Sequence, residues 1–257
     1  MHTGFKSILA AVAIAAVAAT GMARADIVGE NVVYEVNGKP FEGYAVQNTG
    51  FGDSQPAVLL VHDWDGLDDY EKQRATMLAA EGYTVLAADL FGQGVRPETT
   101  EEKKAHTSAL YGDRAEMRAR MSAALEALKA RDGVDPSRIV VMGYCFGGSA
   151  ALELARSGAD IAGVATFHGG LATPADQSYA QVKGPVLVMH GSADTSVPMS
   201  DVAALAAALD KDGIAHRMEI YGGAPHAFTV WNGSRYNAAA DVASWRTFLD
   251  FLNDTVR

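Results

Sequence analysis

The sequence predicts an α/β protein: a mostly parallel, doubly wound sheet opened by an antiparallel β-hairpin. Three observations carry that prediction. Short apolar runs alternate with longer amphipathic stretches from Ala57 to Leu252, the strand–helix rhythm of a sheet wound by right-handed crossovers. The apolar runs are continuous rather than alternating, as expected of parallel strands covered on both faces. Ahead of them, Asn37-Gly38 separates two strand-like segments, and that pair suits the positive-φ positions of a tight hairpin turn.

Along the chain, Asn31–Val36 and Phe41–Val46 form the hairpin. Strands are then expected at Ala57–Val61, Tyr83–Ala88, Arg138–Met142, Ile161–Phe167, Pro185–Met189 and Arg217–Tyr221. Helices are expected between and after them, at Tyr70–Glu81, Asp113–Lys129, Gly147–Arg156, Ser200–Lys211 and Asn237–Leu252. Gly92 to Thr107 is polar and punctuated by proline and glycine, and reads as a surface excursion. No repeat or linker interrupts the pattern, so residues 26–257 read as one domain.

Residues 1–25 read as a cleavable signal peptide. Lys6 gives a basic start, and Ala23-Arg24-Ala25 supplies a small-x-small cleavage site. The apolar run from Ile8 to Ala19 lies between them and falls short of the roughly 20 residues that span a bilayer. The mature chain is thus expected to begin at Asp26 and to be secreted or periplasmic, with no membrane association once the leader is gone.

Composition narrows the function. The chain has 257 residues, 49% of them hydrophobic and 20% charged, with a formal charge of −10. Long disorder is excluded, and the acidic balance argues against nucleic-acid or polybasic membrane surfaces. The single cysteine rules out an intrachain disulfide and any multi-cysteine metal or iron–sulfur site.

That cysteine sits in Gly143-Tyr144-Cys145-Phe146-Gly147-Gly148, between a predicted strand and a predicted helix. The pattern is the G-x-nucleophile-x-G elbow, with cysteine where serine is usual. Small flanking residues let a strained strand-to-helix turn lift the side chain clear of the sheet, and the helix N-terminus favours a thiolate. The plainer alternative is a small buried cysteine beside a glycine-rich helix start. Asp194, in His190-Gly191-Ser192-Ala193-Asp194, follows the next strand but one. Alone it would pass for a turn residue. His226, in Gly223-Ala224-Pro225-His226, follows the last strand and alone would pass for a solvated loop histidine. Their order is the informative part: nucleophile, acid, histidine, each beyond its own strand, as in α/β-hydrolases.

On these residues the chain resembles the dienelactone hydrolase family, from about Val58 to Leu252. The G-Y-C-x-G-G elbow is the most specific shared element. The resemblance implies an α/β-hydrolase fold and a carboxylic ester or lactone hydrolase of the carboxymethylenebutenolidase type. Cys145 would be the nucleophile, His226 the general base and acid, and Asp194 its partner. The family's acidic residue after the first central strand corresponds to Asp63, one methylene shorter than the usual glutamate. Phe146 and Trp64 would supply the oxyanion-hole N–H groups. The family arginine four residues beyond the histidine is replaced by Val230.

Tyr144, His168, Phe228 and Trp231 are candidates for the substrate pocket, though single aromatics more often belong to the core. His62, Asp63, Asp65, Asp68 and Asp69 cluster in sequence but lack helix-spaced ligand pairs, so no metal is expected. No cofactor is expected either. The partner would be a small ester or lactone, and the protein a monomer or small homo-oligomer. Two rival readings remain at this level: a thiol-dependent redox enzyme, and a non-catalytic binding protein that reuses the fold.

Overall fold

The computed structural model describes Met1 and residues 26–52 and 54–257; the rest of the proposed leader, residues 2–25, lies outside the described residues. The hairpin pairs β1 (Ile27–Val36) with β2 (Lys39–Asn48). Asn37 and Gly38 both take positive φ, 51° and 74°, the turn whose twist matches its strands. The core continues through β3 (Gln55–Val61), α1 (Asp69–Ala80), β4 (Thr84–Ala88), α2 (Thr100–Gly112) and α3 (Arg114–Lys129). Next come β5 (Val134–Tyr144), α4 (Phe146–Arg156), β6 (Gly163–Phe167), β7 (Val186–Gly191), α5 (Met199–Lys211), β8 (His216–Tyr221) and α6 (Ala238–Val256).

One eight-stranded sheet runs in the order β1-β2-β4-β3-β5-β6-β7-β8. It is parallel from β4 to β8, and β2 joins β4 antiparallel. Alternate strand residues point to opposite faces, which divides the core. Leu59, Val61, Val141 and Val188 pack with α3, α4 and α5. Leu60, Met142 and Met189 pack with α1 and α6 on the other side. Every residue of α4 is buried, so the elbow is anchored on the most enclosed helix.

Two expectations need correction. The excursion after Gly92 is half helix: α2 begins at Thr100 behind a capping box in which Thr99 and Glu102 satisfy each other's backbone N–H groups. Only Thr107 and Leu110 of that helix are buried, so its apolar stripe is too thin to show as periodicity. The run at Arg217–Tyr221 is not covered on both faces. It belongs to the edge strand β8, where Arg217 and Ile220 are exposed.

The carboxyl ends of the parallel strands face one rim. Asp63 follows β3, Cys145 β5, His168 β6, Asp194 β7 and His226 β8. Open α/β sheets place their chemistry at this rim.

Candidate active site

Cys145 occupies the single-residue turn between β5 and α4 with φ 49° and ψ −110°, a conformation that strains a side chain other than glycine's. Two glycines permit it. A Cβ on Gly143 would lie 2.1 Å from the Gly147 carbonyl carbon, and one on Gly147 would lie 2.4 Å from the Val61 oxygen. The elbow therefore packs backbone against backbone, which holds the thiol out from the sheet.

Cys145 Sγ is 3.1 Å from His226 Nε2, and His226 Nδ1 is 2.7 Å from Asp194 Oδ2. The other Asp194 oxygen accepts the N–H groups of Ser196 (2.8 Å) and Val197 (2.9 Å). Burial raises the Asp194 pKa, but the His226 hydrogen bond and these N–H groups outweigh it and hold the carboxyl below its ordinary value. His226 is flanked edge-to-face by His168, with ring centroids 5.3 Å apart. Burial, and then the neighbouring His226, keep His168 neutral, far below the usual histidine value.

The thiol's pKa is pushed up to about 12, first by burial and then by the charge of Asp63. The Phe146 N–H and the Arg235 guanidinium pull the other way. Asp63 is itself pushed up to about 7, by burial and then by Asp65. Its Oδ1 accepts the Asp65 N–H at 2.8 Å. No hydrogen bond joins it to the thiol, so Asp63 acts on Cys145 through charge. An aspartate here is held back by its own turn.

The proposed pocket aromatics divide. Tyr144, His168 and Phe228 are completely buried and lie beneath the site rather than along an open wall. Tyr144, the last residue of β5, alternates to the face opposite Cys145, where it meets Tyr70 edge-on and packs at a tilt against Phe167. His168 Nε2 lies 2.8 Å from Thr229 Oγ1. Trp231 is half-buried and lines a cavity of about 660 Å³ with Tyr70, Asp65 and Lys103. Lys103 pairs with Asp65 and approaches the Trp64 ring at 5.7 Å. The acidic cluster does not converge on a metal position: Asp68 caps α1, and both His62 nitrogens are engaged by backbone.

Four contributors escape a reading of the sequence. Tyr111, on the unforeseen α2, packs against the Phe146 ring and donates its hydroxyl to Ser149 Oγ at 3.2 Å. Arg74 is buried against Asp241 and lies over the Trp231 ring at 4.2 Å, which ties α1 to the segment carrying His226. Arg235 follows that segment. His62 reaches back from the end of β3 to its own neighbour's carbonyl. Only the elbow and the strand-end order are local enough to signal themselves.

A nucleophile elbow, with an acid and a histidine on later strand ends of a doubly wound sheet, defines an α/β-hydrolase. The comparisons make the class specific. The sequence matches the dienelactone hydrolase family over residues 41–256, and the chain belongs to that family; it is a hydrolase of ester or lactone bonds. A crystal structure titled as a dienelactone hydrolase-like promiscuous phosphotriesterase, P91, from metagenomic libraries, superimposes with a TM-score of 0.85. It shares 32% identity, and the match covers 90% of this chain and 99% of that one. A Synechocystis protein named "Putative carboxymethylenebutenolidase" is 27% identical over 221 residues, 79% of this chain and 87% of its own length. A Bradyrhizobium protein named "Probable 2-oxo-3-(5-oxofuran-2-ylidene)propanoate lactonase" is also 27% identical, over 207 residues, 77% of this chain and 83% of its own.

Proposed function

We propose that the protein hydrolyses a small carboxylic ester or lactone through a Cys145 thioester, with His226 and Asp194 completing a triad. The observation that carries this reading is the continuous contact from thiol to imidazole to carboxylate, at 3.1 Å and 2.7 Å. Asp194 accepts the Nδ1 proton of His226, which leaves Nε2 free to take the proton of Cys145. Because the resting thiol is held neutral, proton transfer accompanies attack on the substrate carbonyl. The negative charge passes from sulfur to the carbonyl oxygen, which the N–H groups of Phe146 and Trp64 receive. Collapse of the tetrahedral intermediate expels the alcohol or enol, which takes the proton from His226. Water activated by the same histidine then cleaves the thioester, releasing the carboxylic acid and restoring the thiol.

A panel of esters and lactones, with a phosphotriester added because the P91 relative is so titled, tests the reading beside Cys145→Ala. Ester turnover by wild type alone supports it; equal turnover by Cys145→Ala overturns it. We further propose that residues 1–25 direct export and are removed. N-terminal sequencing of the exported protein should begin at Asp26, and an exported, active product that retains residues 1–25 would contradict this.

A further inference from the structure

We propose that His62 is a positioning residue for the oxyanion hole: its Nδ1–H holds the Asp63 carbonyl and so aims the Trp64 N–H. This rests on the hydrolase reading above and adds a residue to it. The hydrogen bonds determine the tautomer. The Leu90 backbone N–H, which can only donate, points to His62 Nε2 at 3.1 Å. Nε2 is therefore the lone-pair nitrogen and the proton lies on Nδ1, which donates to the Asp63 oxygen at 2.6 Å. The ring is completely buried, and burial lowers its pKa below the usual value, so it keeps this neutral form at working pH.

The Asp63 C=O and the Trp64 N–H belong to one planar trans peptide and point in opposite directions across it. A donor that fixes the oxygen on one side fixes the N–H on the other. The ring is itself braced. It meets Phe91 edge-on at 4.6 Å and lies against the Phe146 ring at 6.0 Å. The backbone of His62 and Val61 also abuts Gly147, one residue past the other oxyanion donor. His62 thus touches the support of both N–H groups and ties the β3 exit to the β4 exit through Leu90. The bound carbonyl is one residue from Trp64, and no other side chain among the described residues donates to it.

The test compares two variants that each keep one of the two hydrogen bonds. In His62→Asn the side-chain NH2 replaces Nδ1 and still reaches the Asp63 carbonyl. In His62→Gln the longer amide reaches the Leu90 N–H and leaves that carbonyl unheld. Loss of an oxyanion donor lowers kcat about 100- to 1000-fold, and a misaimed donor should lose a good part of that. His62→Gln is expected to lose about 10- to 100-fold in kcat with KM little changed. His62→Asn should stay within about threefold of wild type. Alkylation of Cys145 by iodoacetamide forms no oxyanion, so both variants should alkylate at the wild-type rate.

Equal losses of kcat in the two variants, or a His62→Gln kcat within threefold of wild type, would overturn the proposal. A measurement on the wild-type protein stands beside these in case a variant does not fold. Imidazole ¹⁵N shifts should show His62 as the Nδ1–H tautomer, and an Nε2–H tautomer would overturn it. Failure of the hydrolase reading looks different: Cys145→Ala would then turn over ester as fast as wild type, whatever His62 does.

Discussion

Replacing Asp194 by asparagine should cripple the enzyme out of proportion to the size of the change, and the hydrogen bonds around that carboxylate give the scale. One oxygen accepts two backbone N–H groups, from Ser196 and Val197, while the other faces His226 Nδ1. Asparagine can satisfy only one of those sides. If its oxygen stays on the two N–H groups, its NH2 donates to Nδ1. The histidine proton is then forced onto Nε2, where it can no longer accept from Cys145. The productive flip turns the NH2 toward the buried Val197 N–H and the part-buried Ser196 N–H, so that each faces a donor instead of an acceptor, at about 1–3 kcal/mol apiece. A total of about 2–6 kcal/mol at 1.36 kcal/mol per decade of rate corresponds to a loss of roughly 30- to 25,000-fold. Steady-state turnover of a chromogenic phenyl ester measures it, with thermal unfolding as a check that the variant is folded. A folded Asp194→Asn variant within tenfold of wild type would refute the tautomer argument and with it the role of Asp194.

Four further outcomes are expected. Cys145→Ala should fold normally and lose nearly all ester turnover, and Cys145→Ser should be strongly impaired because a hydroxyl is harder to deprotonate in a site built for a thiol; full activity in either would refute the nucleophile. With the thiol at about 12 instead of its ordinary 9.0, the rate of iodoacetamide alkylation should keep rising with pH beyond 9 rather than level off there. Asp63→Asn removes a negative charge that disfavours the thiolate and should shift that profile to lower pH; an unmoved profile would show that Asp63 does not act on the thiol. Finally, Val230 offers no charge where the family resemblance implies an arginine, so the methyl ester of a carboxylated lactone should show a higher kcat/KM than the free carboxylate. Loss of one charge-assisted hydrogen bond is worth about 1.5–3 kcal/mol, and a tenfold preference for the carboxylate would instead show that another cation supplies the missing charge.

The resting site contains a tension that these experiments address from two sides. Asp63 is drawn up to about 7 by burial and then by Asp65, and the thiol to about 12 by burial and then by the charge of Asp63. Such a pair keeps the nucleophile protonated until a substrate carbonyl and its oxyanion donors give the charge somewhere to go. Tyr111 on α2 packs against Phe146, and Lys103, within the Gly92–Thr107 segment expected to be a plain excursion, approaches the Trp64 ring.

The strand order along the chain, the hairpin turn and the elbow were legible in the amino-acid sequence because each is a local constraint. Asn37-Gly38 needs two positive-φ positions, and Gly143 and Gly147 leave room for a turn only if they carry no Cβ. Cys145, Asp194 and His226 could be picked out because each follows its own strand, and strand ends are visible in the hydrophobic pattern. The tertiary structure alone decided which side chains meet. Tyr144 turned to the core face because strand residues alternate, and His168 and Phe228 were closed over by α6 and the loop before it. Arg74 found Asp241 across the fold, and α2 was stabilised by its cap rather than by an apolar stripe. The pKa of the thiol and the tautomer of His62 belong to the same class. Burial, charge and hydrogen bonding are summed over neighbours that the topology brings together, and no stretch of adjacent residues records that sum.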